Sequence, residues 1–256
     1  MRAARAPAAP GRVTAVLTWA ITRAARESNA LVDQLTTQGL HALALPCIER
    51  STRPVSAWRP PGQRVIVLTS VAAVEAVSHE LVASAPAHLA ALSPHTSAAL
   101  AKLELTATIE SSEGVVALAQ AIARSLDGWN IRAASFWYPT SSAGHDAPEQ
   151  AEAIAALTPY GPVTRVAAYD VAAPSGLIDQ LRTLPREVGV LFSSPSAVKH
   201  FITAHEELGL TPSVRLAACW GDSTRRAAQA HFSRTHLLPR ARNLADALRE
   251  LELSHG

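Results

Sequence analysis

Short apolar runs alternate with longer amphipathic segments along most of the chain. TAVLTWAI (14–21), LHALALPCI (40–48), RVIVLTS (64–70), HLAAL (88–92), ASFWY (134–138), VTRVAAY (163–169), VGVLF (188–192), RLAAC (215–219) and THLL (235–238) have the length of buried strands. Between them lie Ala/Leu-rich stretches whose apolar residues recur every three to four positions. Examples are ARESNALVDQLTTQG (25–39), VAAVEAVSHELVA (71–83), EGVVALAQAIARSL (113–126), PSAVKHFITAHEEL (195–208) and LADALREL (244–251). Gly39 is placed to end the first helix as a C-cap. Strands alternating with helices of this length predict βαβ units around parallel sheet, an α/β fold.

The two halves of the pattern match each other. Trp19 corresponds to Trp137, Thr22 to Thr140, Gly39 to Gly161, Thr69-Ser70 to Ser193-Ser194, and Thr96 to Thr224, at separations that widen slowly along the chain. Ordered matches of this kind predict a duplication and two similarly folded lobes, each a parallel Rossmann/flavodoxin-like sheet.

Composition narrows the function classes. Apolar residues make up 48% of the 256 positions and charged residues 17%, a globular balance. No run approaches the roughly 18 consecutive apolar residues of a membrane span. The start, MRAARAPAAPGR, interrupts its charges with prolines, so residues 1–13 are expected to be a flexible tail on a cytoplasmic protein rather than a signal peptide. Two cysteines, Cys47 and Cys219, are too few for a disulfide framework or a zinc site. A net charge of +2 argues against nucleic acid as a partner, although all but Lys102 and Lys199 of the 23 basic residues are arginine and suit an anionic small molecule.

Chemistry is narrowed by missing motifs. No two glycines stand two residues apart, so there is no dinucleotide fingerprint, and no phosphate loop, paired-histidine zinc motif or nucleophile elbow occurs. What remains is a set of strand-to-helix turns. Ser194 before Pro195 reads as an N-cap followed by proline at the first helical position, and Ser70 as the same device without proline. Thr96 and Thr224 are expected to open two further helices. Capping alone accounts for such residues, at about 1 kcal/mol each. In a parallel sheet, however, these turns all lie at the carboxyl ends of strands, where helix N-termini favour carboxylates or phosphates. Tyr169 is the other candidate: it stands where the chain should pass between lobes, its first-half counterpart is Cys47, and a phenol can protonate a departing hydroxyl.

Together these elements resemble the uroporphyrinogen-III synthase family. The resemblance rests on ITRAARESNALVDQLTTQGLHALALPCIE, VIVLTSVAAVEAV, VTRVAAYDV, VLFSSPSAVKHFI and CWGDSTRRAA, in that order, spread over residues 14–232. It implies two lobes, residues 14–45 with 172–256 and residues 51–166, joined by linker strands at 46–50 and 167–171, with a substrate cleft between them. It implies cyclisation of hydroxymethylbilane, a linear tetrapyrrole with eight carboxylates, to uroporphyrinogen III. The terminal pyrrole ring is inverted and water is lost, with no metal or organic cofactor. It further implies a monomer, in at most transient contact with the preceding hydroxymethylbilane-forming enzyme. Carried over position by position, it assigns Tyr169 to the departure of the hydroxyl, and Thr69, Ser70, Ser193, Ser194, Ser196, Thr224 and Arg23 to substrate binding. Three departures stand out: Ala24 where the family usually has proline, Ser93 where a turn glycine is usual, and PTSSAGHDAPEQ (139–150) in place of a glycine-rich, arginine-containing loop. Two other classes fit the pattern of lobes: a non-catalytic binder of an anionic small molecule, and a glycosyltransferase, which the missing glycine-rich loop disfavours.

Overall fold

The structure, a computed structural model, describes residues 17–83, 87–144, 148–209, 213–238 and 243–255. The N-terminal segment read as a tail lies outside the described residues, as does part of the 139–150 loop. The strands are β1 (Thr18–Ile21), β2 (His41–Ala44), β3 (Glu49–Thr52), β4 (Gln63–Leu68), β5 (His88–Ala91) and β6 (Ile109–Glu110). They continue with β7 (Ala134–Ser141), β8 (Val163–Ala172), β9 (Val188–Phe192), β10 (Val214–Cys219) and β11 (Thr235–Leu237). The helices are α1 (Ala25–Thr37), α2 (Val71–Ala76), α3 (Ser78–Ala83), α4 (Pro94–Ala101) and α5 (Val115–Gly128). After these come α6 (Pro148–Leu157), α7 (Leu177–Arg182), α8 (Pro195–Glu207), α9 (Asp222–Gln229) and α10 (Leu244–His255).

The fold is α/β with parallel sheet, as the alternation predicts. One sheet runs β11-β10-β9-β1-β2 and the other β3-β8-β7-β4-β5-β6. Backbone contacts divide the chain into two compact units, one of residues up to Glu49 with those from Ala172 onward, the other Arg50–Val171. The duplication is visible in the strand orders. Matching Trp19 to Trp137 and Ser194 to Ser70 equates β1 with β7, β2 with β8, and β9, β10 and β11 with β4, β5 and β6. Under that mapping the two sheets have the same order, β3 being the one addition. Each repeat therefore contributes to both units: β1 and β2 join the sheet of β9–β11, whereas β7 and β8 join that of β4–β6.

Core packing follows the alternation of strand side chains. In the six-stranded sheet, Ile66, Leu68 and Trp137 face α2, α3 and α4, where Ala73, Val74, Leu81 and Leu100 are buried. Val65, Val67, Phe136 and Tyr138 face Leu118, Ile122 and Leu126 of α5 and Leu157 of α6. In the five-stranded sheet, Trp19, Ile21, Leu191 and Leu216 pack on Leu35 of α1 and Leu248 of α10. Trp19 dictates its cross-strand partner. Gly189 lies opposite it in register, and a Cβ there would come within 2.6 Å of the indole. The buried indole N–H donates to Glu252 Oε1 of α10 at 2.6 Å, satisfying the ring's one polar atom.

Several elements differ from the expected boundaries. Residues 71–83 form two helices, because buried Val77, at φ −117°, leaves the helical region between α2 and α3. Gly39 does end α1, in the left-handed conformation at φ +79° one residue past the Gln38 cap. Ala24, which stands in for the family's proline, holds φ −64°, the angle a proline ring would impose. Ser93 does not fit its place so easily. It adopts φ +134° and ψ +156°, a region that suits glycine and strains a residue bearing Cβ.

Candidate functional site

In both units the parallel strands bring the predicted hydroxyls to one edge of the sheet. Ser70 follows β4 and Ser194 follows β9, with near-identical backbones (φ −158°, ψ 158° and φ −157°, ψ 158°). Each side chain caps its helix: Ser70 Oγ accepts from Ala73 N–H at 3.1 Å and Ser194 Oγ from Ala197 N–H at 3.2 Å. The expectation for Thr96 and Thr224 needs correction. The helices they were to open begin two residues earlier, at Pro94 and Asp222, with Ser93 and Gly221 at the cap positions. Thr96 and Thr224 instead occupy the third helical position and are buried. Proline and aspartate are good first-turn residues, and that preference prevails over a threonine start.

In the Arg50–Val171 unit, two predicted residues meet. Tyr169 Oη lies 3.1 Å from Ser70 Oγ, although 99 residues separate them in sequence. The contact spans the end of β7, which sits between β8 and β4. Tyr169 is nearly buried at 9% exposure, so its ring is held by the α2 side of the core while its hydroxyl reaches the helix cap. Thr69 does not join them. Strand alternation turns it to the opposite face, where its hydroxyl meets Tyr138. Tyr138 Oη also donates to Gln150 Oε1. Burial pushes the Tyr138 phenol well above the usual tyrosine range, with Gln150, Arg165 and Thr69 working against that shift.

The strand carrying Tyr169 is anchored by groups that sequence reasoning missed. Ser142 N–H donates to the Tyr169 carbonyl at 2.9 Å, and Arg53 N–H to that of Ala168 at 2.9 Å. Both side chains converge on Asp170: Ser142 Oγ donates to Oδ1 at 2.5 Å and Arg53 Nη1 at 3.1 Å. The Ser142 hydrogen bond and, after it, Arg53 hold the Asp170 carboxyl below its ordinary range. The available signal was register, since Ser141 pairs with Tyr169 across β7 and β8.

In the other unit Ser193, Ser194 and Ser196 lie half-buried after β9, and Thr224 is buried in α9. Cys47, the counterpart of Tyr169, makes no comparable reach. Its thiol donates to the Leu45 carbonyl at 3.4 Å, and burial raises it far above the usual thiol range. The Cys47 carbonyl accepts from His200 at 2.7 Å, which places the imidazole proton on Nδ1. Burial likewise pushes Cys219 up to about 11, against the opposing effect of Arg225. Neither thiol is a nucleophile at neutral pH. Arg23 follows β1, with its Nε on Glu27 Oε2 at 3.0 Å and its guanidinium carbon 4.7 Å from the centroid of the Trp220 ring.

In one unit a paired phenol and serine hydroxyl at the strand ends suits proton donation to a leaving hydroxyl, and in the other a capped strand end and an arginine suit the binding of an anion. The family model described as uroporphyrinogen-III synthase HemD matches residues 29–248. The chain belongs to the uroporphyrinogen-III synthase family. It is a cyclising lyase of tetrapyrrole biosynthesis, converting hydroxymethylbilane to uroporphyrinogen III with inversion of the terminal ring. Solved structures agree with the fold. The uroporphyrinogen-III synthetase of Helicobacter pylori matches at a TM-score of 0.61 and 16% identity, over 93% of this chain and 99% of that one. A mutant uroporphyrinogen III synthase of the extremely thermophilic bacterium Thermus thermophilus matches at 0.57 and 14% identity, over 94% and 100%. A sequence comparison with curated proteins finds no match. Among the described residues, no helix is long and apolar enough to cross a membrane.

Proposed function

We propose that Tyr169 assists departure of the hydroxyl of hydroxymethylbilane, and that hydroxyls and amides at the strand ends hold the substrate's carboxylates. The observation that carries this reading is the 3.1 Å contact between Tyr169 Oη and Ser70 Oγ. Ser70 Oγ accepts the Ala73 amide and forms a hydrogen bond with the phenol in which either hydroxyl can donate. With Ser70 donating, the phenol proton is left for the departing hydroxyl. Departure generates an electrophilic azafulvene, which the substituted carbon of the terminal ring attacks. The resulting spiro intermediate fragments and recloses inverted. Uncatalysed closure gives the uninverted isomer, so the enzyme's task is to hold a flexible chain in one fold while water leaves.

Ser193, Ser194, Ser196, Thr224, Arg23, Ser70 and Thr69 serve as the carboxylate contacts in this reading, Thr69 sharing its hydroxyl with Tyr138. The two units act as lobes joined by the segments at 46–50 and 167–171. The enzyme works as a cytoplasmic monomer. Its two buried free cysteines suit a reducing compartment.

The test is isomer-resolved turnover of Tyr169→Phe and Ser70→Ala. Loss of one positioned proton donor is expected to slow isomer-III formation by about 100-fold in Tyr169→Phe. Ser70→Ala, which leaves the phenol unoriented, is expected to lose about tenfold, with circular dichroism unchanged in both. Wild-type turnover in Tyr169→Phe would remove the phenol from the chemistry.

A further inference from the structure

Arg23 and Trp220 come from turns that are 197 residues apart in the numbering (220 − 23), yet they stack on each other. Arg23 follows β1 and Trp220 follows β10, and in the sheet these two strands flank β9. Hydrogen bonds fix both turns to the end of β9. Thr22 donates to the Leu191 carbonyl through Oγ1 at 2.8 Å and through N–H at 3.2 Å, and Trp220 N–H donates to the Phe192 carbonyl at 3.2 Å. The stacked pair therefore bridges the strand end that leads into Ser193 and Ser194.

Two restraints act on the guanidinium. Its carbon is 4.7 Å from the indole centroid, within cation–π range. Its Nε donates to Glu27 Oε2 at 3.0 Å. Glu27 in turn is fixed on the first turn of α1, whose start is secured by Ser28 Oγ donating to the Ile21 carbonyl at 3.0 Å. Among the described residues neither Nη group of Arg23 is hydrogen-bonded. With Nε engaged and one face on the ring, the guanidinium presents its paired Nη edge, the geometry that receives a carboxylate through two parallel hydrogen bonds.

We infer that Trp220 and Glu27 are positioning residues that hold Arg23 edge-on to one carboxylate of the linear tetrapyrrole beside the Ser193–Ser194 turn. The inference rests on the proposed role of Arg23 in substrate binding. Pre-orientation reduces the rotamer freedom a long side chain loses on binding, so the benefit falls on substrate affinity. A planar cation is required: lysine would keep the charge but lose both the ring face and the paired donors.

The experiment measures KM and kcat for isomer-III formation by the full chain and its variants, each checked for folding by circular dichroism and thermal melting. Arg23→Ala is expected to raise KM at least tenfold, and Arg23→Lys nearly as much. Trp220→Leu is expected to raise KM about fivefold with kcat within about twofold, Trp220→Phe to restore most of the loss, and Glu27→Gln to raise KM about threefold. Trp220→Leu added to Arg23→Ala should change KM no further, because the ring acts only through the guanidinium. Trp220→Met, which fills the same space without a ring face, replaces Trp220→Leu if the latter does not fold. An unchanged KM in Arg23→Ala would overturn the binding role of Arg23 and the inference with it. A raised KM in Arg23→Ala with none in Trp220→Leu, or with fully additive effects, would overturn the positioning role alone.

Discussion

Ser93 offers a test of how far this chain departs from its family's geometry. Its φ of +134° with ψ +156° lies in a region open mainly to glycine, at a cost of about 1–3 kcal/mol for a residue bearing Cβ. The strain is tolerated because the Ser93 hydroxyl does local work, accepting from Thr96 N–H at 3.3 Å and meeting Thr96 Oγ1 at 3.1 Å. A single Ser93→Gly change mixes relief of strain with loss of these contacts, so the informative quantity is the difference between Ser93→Gly and Ser93→Ala. Both remove the hydroxyl, and only alanine keeps the Cβ. Ser194 provides the control, being an N-cap at an unstrained φ of −157°. There glycine should exceed alanine by roughly 0.5–1 kcal/mol, the ordinary preference at a cap. At Ser93 the same difference should be larger by about 1–3 kcal/mol, since the unfolded-state entropy of glycine enters both pairs alike. Urea unfolding of the four variants, followed by circular dichroism and tryptophan fluorescence, supplies the two differences. Equal differences at the two sites would refute the strain at Ser93.

Two further predictions concern the unit built on β1 and β9. Gly189→Ala places a methyl group 2.6 Å from the Trp19 ring and is expected to cost about 1–3 kcal/mol, measurable as a lowered Tm. Trp19→Leu should absorb much of that loss in the double variant; strict additivity would show that the two residues do not compete for space. Burial holds the imidazoles of His205 and His236 below the ordinary histidine pKa of 6.5. The unfolded chain then binds more protons than the folded one, so stability is level above pH 6.5 and falls as the pH drops below it. His205→Met should flatten that slope between pH 7 and pH 5 in denaturant titrations, and an unaltered slope would count against a buried neutral imidazole.

Much of the fold could be read from the chain because its signals are local and periodic. The alternation of apolar runs and amphipathic helices forces parallel sheet, and the echo of Thr69-Ser70 in Ser193-Ser194 reappears as two helix caps with almost the same backbone angles. The helix starts near Thr96 and Thr224 were misplaced because threonine signals compete with the first-turn preferences of Pro94 and Asp222. Candidate residues could be listed from the sequence, but their arrangement could not. Nothing local in the sequence says that Tyr169 reaches Ser70, that Thr69 turns away to Tyr138, or that Arg23 lies on Trp220. Those contacts depend on the strand order β8-β7-β4 and β10-β9-β1, a tertiary outcome of crossovers between distant segments. The side chains anchoring Tyr169 were missed for the same reason, because Arg53 and Ser142 converge on Asp170 from segments far apart in sequence.

Strand-end hydroxyls that hold hydroxymethylbilane in the fold that inverts its terminal ring should be visible in the isomer composition of the product. The most direct measurement incubates the protein with freshly prepared hydroxymethylbilane, oxidises the products and resolves the porphyrin isomers. Isomer III in large excess is expected for the wild type, and a shift toward isomer I at a greatly reduced rate for Tyr169→Phe. Isomer I alone from the wild type, at the uncatalysed rate, would contradict this role of the hydroxyls.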